Sequence, residues 1–438
     1  MRSLYLTILF TVLVSRSLFA QQPNIVFILA DDLGYGDLSS YGALDLKTPN
    51  IDKLSEEGIK FNNAYANSTV CSPSRAAILT GNYPDMVGVP GVVRDMEFNT
   101  WGNLADDIQT LPELLKKQGY NTALIGKWHL GYQSPDLPND RGFDYFKGFI
   151  GDMMDDYYTH LRGGVNYMRE NTTVINPKGH ATDIFSDWAI DYINTQSKTD
   201  DPFFLFLTYN APHDPIHPPT EYLEKSIKEH PNKSKKRQKL IALIEHLDDS
   251  VAKVLEAIEE NKLSENTIII FTSDNGGALN YGASNSPYRG GKGNMYEGGI
   301  RVPCIVKWGK KYSGEKSNYP LILMDFFPSL LSAAGDDSKL NLPSKVIKPL
   351  FGNVDVNIFS REMIWMRREG HKFGGRDYYS ISDGEYKLLQ NSPFEKYSLF
   401  NIKTDSLETE AIKNDSIKKV LKFKLTKHIQ NAGKIPWQ

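Results

Sequence analysis

Cysteine is scarce in this chain, which has only two, Cys71 and Cys304, among 438 residues. Two cysteines exclude a disulfide-rich scaffold, although one disulfide joining them remains a possible use of Cys71. Internal repeats and low-complexity tracts are also missing, which excludes repeat architectures. The formal net charge is -3, so no nucleic-acid partner is expected, and the basic run at 233–239 predicts only a solvated helix start.

Long apolar runs are absent beyond the first residues, and no later stretch reaches transmembrane length. The exception is the segment from Leu4 to Val14, which follows Arg2 and leads to the small residue Ala20. This pattern is typical of a signal peptide over residues 1–20. We therefore expect an exported protein, periplasmic or secreted, without a transmembrane segment.

Continuous apolar runs alternate with helical patterns up to about residue 335. The runs expected to form buried strands are 24–30, 122–125, 203–207 and 266–271. This alternation predicts an α/β catalytic domain over residues 21–340, with a large, doubly wound, mostly parallel sheet flanked by helices. Short strands near 363–366, 377–381, 386–389 and 398–401, followed by a terminal helix, predict a small C-terminal α+β subdomain with an antiparallel sheet over residues 341–438.

Acidic and amide side chains follow two of the predicted strands. Asp31 and Asp32 end the first strand, and Asp274 and Asn275 end the last. In open α/β sheets, ligands bind beyond the carboxyl ends of the strands. Oxygen ligands suit a hard cation, so we expect calcium, or alternatively magnesium, at this edge.

Basic side chains follow other predicted strands. Lys127 and His129 are two residues apart, which would place both on one face of an extended backbone. His213 lies between two prolines, and Lys292 lies in a glycine-rich loop. Each residue type is common at surfaces, so none of these features alone identifies a site.

Cys71 is predicted to lie at the start of a helix, because Pro73 favours the first helical turn. Backbone N–H groups and the helix dipole favour an anion at that position. Arg75, one turn further on, could point back to the same place.

Five strings together resemble the type I, formylglycine-dependent sulfatases, and arylsulfatase B (N-acetylgalactosamine-4-sulfatase) in particular. They are Asp31–Gly36, Cys71-Ser72-Pro73-Ser74-Arg75 with Thr80-Gly81, Gly126–Gly131, Ala211-Pro212-His213 and Ser273–Gly277. Their order along the chain is that of the family. The resemblance implies the fold of the alkaline phosphatase superfamily.

The resemblance also implies a mechanism. A maturation enzyme would convert Cys71 to formylglycine, whose gem-diol attacks sulfur with help from the metal and Asp274. A sulfo-enzyme intermediate then releases inorganic sulfate. The implied metal ligands are Asp31, Asp32, Asp274 and Asn275, with position 71 or the sulfate completing the shell. The other implied catalytic residues are Arg75, Lys127 and Lys292 on the sulfate oxygens, His213 with Lys292 as the acid for the leaving oxygen, and His129 as the proton acceptor.

The segment 142–160 is rich in aromatic and acidic residues, a composition common in sugar-binding loops. It also resembles arylsulfatase B-like enzymes, so we expect a sulfated carbohydrate as substrate. Its expected contacts are Asp155, Asp156 and His160, together with Arg301 from a later family-like stretch. Two other functions remain open: a phosphatase or phosphonate hydrolase of the same superfamily, and a non-catalytic protein that binds sulfated glycans.

Overall fold

The structure is a computed structural model that describes residues 22–95, 103–336, 338, 340–352, 361–370 and 373–434. The predicted signal peptide, residues 1–20, lies outside this range. Among the described helices, none has both the length and the apolar character that crossing a bilayer requires.

A ten-stranded sheet forms the centre of the molecule. In chain order, the strands of the whole structure are β1 (Asn24–Ala30), β2 (Ile59–Phe61), β3 (Ala64–Tyr65), β4 (Asn121–Lys127), β5 (Tyr145–Phe149), β6 (Leu161–Arg162), β7 (Val165–Asn166), β8 (Met168–Glu170), β9 (Thr173–Val174), β10 (Phe203–Thr208), β11 (Thr267–Ser273), β12 (Cys304–Trp308), β13 (Glu315–Ser317), β14 (Leu321–Ile322), β15 (Met363–Arg367), β16 (Tyr378–Ser382), β17 (Tyr386–Gln390) and β18 (Ser398–Asn401). The order in the large sheet is β13-β2-β12-β11-β1-β10-β4-β5-β8-β9.

The middle of this sheet is parallel, as the sequence predicts. Strands β11, β1, β10, β4 and β5 are all parallel, whereas β12 and β8 add antiparallel pairs towards the two edges. Every residue of β1, β10 and β11 is buried. Burial on both faces explains why these strands are continuous apolar runs without alternation.

The helices of the structure are α1 (Pro49–Glu56), α2 (Cys71–Thr80), α3 (Leu111–Lys117), α4 (Ala181–Gln196), α5 (Thr220–Glu229), α6 (Lys235–Glu260), α7 (Glu297–Ile300), α8 (Phe326–Ala333) and α9 (Asp415–Ala432). They flank the sheet in two groups. Helices α1, α4 and α5 pack on α6, while α2, α3 and α8 pack on one another. The expected doubly wound α/β architecture is confirmed.

The C-terminal part has its own antiparallel sheet in the order β15-β16-β17-β18, and α9 packs against it. This confirms the predicted small α+β unit. The domain boundary at residues 340/341 stays a prediction.

The lysines at the start of α6 are exposed, as expected of a solvated basic run, whereas Arg237 is not. Arg237 is 9% exposed, and its guanidinium pairs with Asp37 and Asp45. Sequence composition could not reveal this, because both acids lie almost 200 residues earlier in the chain. Arg237 therefore joins α6 to the loop that follows β1.

Candidate active site

Four parallel strands end at one edge of the sheet and deliver the predicted residues to it. Leu29 of β1 pairs with Thr208 of β10 and with Thr272 of β11, so these strands finish level with one another. The residues after the strand ends are also joined, because the amide of Asp274 donates to the carbonyl of Ala30 at 3.2 Å. The register of the sheet thus gathers the acids predicted to bind a metal.

Cys71 is the first residue of α2, as predicted, and all ten residues of this helix are buried. Its thiol donates to Oδ1 of Asp31 at 3.2 Å and lies 3.9 Å from Oδ1 of Asp32. Cys71 and Cys304 are both free, so the alternative of a disulfide between them is not found. Position 71 therefore faces the carboxylates at the sheet edge.

Three cations pair with the three carboxylates of this cluster. Lys127 Nζ lies 2.5 Å from Asp31, and Lys292 Nζ lies 2.7 Å from Asp32. The Nε and Nη2 atoms of Arg75 lie 3.0 and 2.9 Å from Asp274 Oδ2. All of these groups except Lys292 are almost fully buried, with Lys292 about one-fifth exposed. The cluster is balanced in charge and opens to solvent on the Lys292 side.

Burial and neighbouring charge set the ionisation of the cluster. Burial opposes ionisation of Asp31, but Lys127, His213 and Arg75 together hold its pKa well below its usual range. Burial and the Asp31 charge raise the pKa of Asp274 to about 6. Burial, with Asp274 and Asp31, also raises the pKa of the Cys71 thiol well above its ordinary value. An unmodified Cys71 is thus a protonated thiol and a poor nucleophile.

His213 and Lys292 form a hydrogen-bonded pair. The ring Nδ1 of His213 donates to the carbonyl of Asp214 at 2.6 Å, which leaves a lone pair on Nε2. Lys292 Nζ lies 2.9 Å from this Nε2 and also contacts Asp32. Burial disfavours the charged amine, but Asp32 raises the pKa of Lys292 above its ordinary value. The charged amine of Lys292 therefore donates to Nε2 of His213 beside the carboxylates.

His129 is a buried, neutral imidazole. Burial, with the Lys127 and Arg75 charges, lowers the pKa of His129 well below its usual range. Its Nε2 lies 3.0 Å from the carbonyl of Val93 and so carries the proton that this contact needs. The Nδ1 atom is buried without a partner among the described residues. His129 thus holds a free lone pair that can accept a proton.

The residues present fit a hard divalent cation. One oxygen or sulfur atom each of Asp31, Asp32 and Cys71, with a nitrogen of His213, lie within 4.8 Å of one another. The amide nitrogen of Asn275 donates to Asp32 at 2.7 Å, whereas its Oδ1 is buried and has no partner among the described residues. A buried acceptor without a donor costs free energy, which a cation would offset. The three carboxylates and this amide oxygen form a ligand set of the kind that calcium takes.

The residues predicted to bind sugar lie outside this cluster. Asp155 pairs with Arg162, and Asp156 accepts from the amides of Tyr158 and Thr159. His160 is buried, and its Nε2 lies 3.1 Å from the carbonyl of Gly179. Their role in binding substrate stays a prediction.

Arg301, the fourth predicted sugar contact, is 8% exposed and lies in a buried network. Its guanidinium pairs with Glu297 and lies over the rings of Tyr65 and Tyr288. Glu297 also contacts Lys387, which pairs with Glu408 in the C-terminal part. In this structure, Arg301 therefore connects the glycine-rich loop to the C-terminal sheet.

A second group of possible metal ligands is formed by His180, Asp183 and His246. His180 already uses both ring nitrogens, because Nδ1 accepts from the amide of Thr182 and Nε2 lies 3.0 Å from the carbonyl of His217. His246 lies 3.0 Å from Asp183. The ring nitrogens of His180 are thus occupied, whereas Nδ1 of His246 is buried without a partner among the described residues.

The sequence did not predict the backbone hydrogen bonds that hold the residues around Cys71 and His129 in place. The amide of Val93 donates to the hydroxyl of Ser72, and the Val93 carbonyl faces His129. Both contacts use backbone atoms of Val93, so they could not be predicted from the type of its side chain. They fix the segment before residue 95 against the start of α2.

Two family models match the chain. The model "Sulfatase" matches residues 23–336, and the model "N-sulphoglucosamine sulphohydrolase, C-terminal" matches residues 291–434. The chain belongs to the sulfatase family. This confirms the resemblance that the five sequence strings indicate, and with it the alkaline phosphatase superfamily.

Individual sulfatases are similar over most of the chain. N-acetylgalactosamine-6-sulfatase of Canis lupus familiaris is 35% identical over 337 residues, which cover 72% of this chain and 63% of that protein. Arylsulfatase J of Mus musculus is 36% identical over 327 residues, covering 72% of this chain and 52% of that protein. The match thus spans less than two thirds of the length of these relatives.

A solved structure matches this chain almost end to end. The crystal structure of Ps i-CgsB in complex with k-i-k-neocarrahexaose superposes with a TM-score of 0.84 at 30% identity. The match covers 94% of this chain and 92% of that one. The likeness therefore includes the C-terminal sheet as well as the large one.

Proposed function

We propose that this sulfatase-family protein hydrolyses sulfate esters of a sulfated carbohydrate and releases inorganic sulfate. One observation carries the proposal: Cys71 lies 3.2 Å from Asp31, at the start of a buried helix, inside a cluster of three carboxylates and three cations. Such a cluster can hold a metal ion and a sulfate group together, because the added positive and negative charges offset each other.

Position 71 is the nucleophile in this proposal, after a maturation enzyme has converted Cys71 to formylglycine. The aldehyde hydrate supplies a hydroxyl whose oxygen attacks sulfur and displaces the sugar oxygen. The remaining hydroxyl of the sulfo-enzyme then loses its proton, the aldehyde returns and inorganic sulfate is expelled. The protonated state of the thiol supports the need for this change, because an unmodified Cys71 would be a weak nucleophile.

Arg75, Lys127 and Lys292 stabilise the charge on the sulfate oxygens. Their nitrogens are held by the three carboxylates of the cluster, so they need little reorganisation when a substrate binds. Fixed donors in a site that excludes water are the largest single source of transition-state stabilisation in many enzymes.

Two histidines move the protons. His213, recharged by Lys292 at 2.9 Å, delivers a proton to the leaving sugar oxygen. His129 accepts the proton of the remaining hydroxyl through its free Nδ1. The two histidines can act in opposite directions because His129 is kept neutral by burial, whereas His213 is coupled to a cation.

Calcium is the ion that the donor set favours, with magnesium as the alternative. Asp31, Asp32, Asp274 and Asn275 would hold it, and it would supply a fixed positive charge beside the sulfate. Carboxylate and amide oxygens with flexible spacing suit calcium better than the strict octahedron of magnesium.

The relatives support a sulfated glycan as substrate. One similar protein is named for the 6-sulfate of N-acetylgalactosamine, and another was solved with a neocarrahexaose. Both names point to sulfated sugar chains. We therefore propose a sulfated galactan or galactosaminoglycan oligosaccharide, degraded by an exported enzyme.

A panel of defined sulfated oligosaccharides tests the proposal. Free sulfate would be measured by ion chromatography for the wild-type protein and for Cys71→Ala. Release of sulfate by the wild type alone supports the proposal. Faster hydrolysis of 4-nitrophenyl phosphate than of any sulfate ester would instead indicate a phosphatase. Binding of the oligosaccharides without release of sulfate would indicate a glycan-binding protein.

A further inference from the structure

The turn that carries His213 is held by a hydroxyl group from a distant segment. The hydroxyl of Tyr157 lies 2.8 Å from the carbonyl of Asn210 and 2.9 Å from the carbonyl of His213. The amide of His213 also donates to Asn210 at 2.9 Å, which closes the turn. Tyr157 is 1% exposed, so no solvent competes for these contacts.

This turn joins two parts of the site. The carbonyl of Ala211 accepts from the amide of Asp31 at 3.1 Å, and the His213 ring meets Lys292. The backbone position of the turn therefore fixes the Nε2 atom of His213 relative to the carboxylates. A shift of an ångström would be enough to impair proton delivery.

A histidine adds a second support beside the first. The ring of His180 is stacked on that of Tyr157, with centroids 4.9 Å apart and planes at 26°. Its Nδ1 accepts from the amide of Thr182, so its Nε2 carries the proton and donates to the carbonyl of His217. The stacked pair thus holds the loop 210–217 at both ends.

We propose that Tyr157 is a positioning residue for His213: its hydroxyl holds the turn so that His213 can deliver a proton to the leaving oxygen. The inference rests on the proposed function and assigns a role to the aromatic segment 142–160 other than contact with sugar. Tyr157 reaches neither substrate nor metal ligands with its hydroxyl, because both of its partners are backbone carbonyls of the turn.

The test is Tyr157→Phe, which removes only the hydroxyl. Its matched control is Tyr120→Phe, because Tyr120 is equally buried and donates to the carbonyl of Pro23 at 2.7 Å, before the start of β1 and far from the site. His213→Gln serves as the reference for loss of the acid. Each protein is assayed on a sulfated oligosaccharide and on 4-nitrophenyl sulfate. The sugar needs a proton as it leaves, whereas nitrophenolate is stable without one.

In Tyr157→Phe, kcat on the oligosaccharide should fall about tenfold or more, while kcat on 4-nitrophenyl sulfate changes less than about threefold. His213→Gln should show the same pattern more strongly, and Tyr120→Phe should show neither loss. The ratio of the two rates is independent of how much protein is folded or matured. An equal loss on both substrates, or no loss at all, would overturn the proposal.

Amide hydrogen exchange by mass spectrometry adds a readout that does not depend on activity. Exchange in peptides covering 208–217 should be faster in Tyr157→Phe than in the wild type, and unchanged there in Tyr120→Phe. Unchanged exchange in Tyr157→Phe overturns the positioning role whatever the enzyme hydrolyses. If exchange is faster in Tyr157→Phe but the wild-type protein releases no sulfate from any ester, Tyr157 does hold the turn. In that case the proposed function is refuted instead.

Discussion

Replacing Lys127 by methionine tests how much of the site's stability depends on charge balance. Lys127 and Asp31 are fully buried and 2.5 Å apart, so Lys127→Met leaves the Asp31 carboxylate in the interior without its nearest cation. Removing one partner of a buried ion pair costs about 3–5 kcal/mol. Arg75, whose Nη2 lies 3.6 Å from Asp31, offsets part of this cost. We therefore expect a loss of about 3 kcal/mol in the free energy of unfolding.

The assay is urea unfolding at pH 7 in the presence of a chelator, with Lys307→Met as the control. Lys307 pairs with Glu57 at the opposite edge of the sheet, where both side chains are partly exposed, so its loss should cost no more than about 1 kcal/mol. The pKa of Asp31 is lowered in the folded protein, so the stability it contributes is present above its unfolded pKa and is lost as the pH falls through the folded value. The deficit of Lys127→Met should therefore shrink below about pH 4.

Calcium should reduce the same deficit, because the Asp31 carboxylate without its lysine binds a cation more tightly, so that calcium stabilises the variant more than the wild type. At a concentration 100 times its dissociation constant, a ligand that binds only the folded state adds about 2.7 kcal/mol. Equal stability of Lys127→Met and wild type at pH 7 would refute the reasoning, since it would mean that Asp31 is not held as a buried anion. A loss as small as that of the Lys307 control would have the same meaning.

Three further predictions concern maturation, metal and pH. A peptide containing position 71 should be about 18 Da lighter than its unmodified form when the protein comes from a host with the maturation enzyme. The variant Cys71→Ser should have no turnover. Full activity in that variant would contradict the mechanism. Chelation should lower the melting temperature and stop sulfate release, and calcium should restore both better than magnesium; restoration by neither ion would contradict the assigned ligands. Burial, with the nearby His246, lowers the pKa of His180 to about 4, so its neutral form is favoured on folding and stability is lost as the pH falls from about 6.5 to 4. This loss is at most about 3 kcal/mol, and urea unfolding of His180→Gln should show a correspondingly smaller fall over that range.

That Asp31, Asp32 and Asp274 lie close together was predictable from the sequence, because they follow the ends of two buried strands. The apolar run 24–30 ends at Asp31, and the strand before Asp274 is equally uninterrupted. Parallel pairing then brings the carboxyl ends of these strands to one edge of the sheet. The helix start at Cys71 was readable for a similarly local reason, the proline in its first turn.

The long-range contacts of several polar residues could not be predicted from the sequence. His160 and Arg301 are polar residues in family-like stretches, yet both are buried with partners inside the protein. Arg237 looked solvated because its two acidic partners lie far away in the chain. Tyr157 gave no signal of its contact with the His213 turn, since backbone carbonyls belong to every residue.

The complete burial of α2 has a consequence for the timing of maturation. Cys71 is 2% exposed, and the residues around it in the helix are buried as well. An enzyme that converts this thiol must reach its sulfur atom, which is buried in the folded protein. We therefore expect conversion to take place on the newly made chain, before the sheet and α2 assemble. Under the proposed mechanism, a molecule that folds first would keep its thiol, so the active fraction of a preparation would be set before folding.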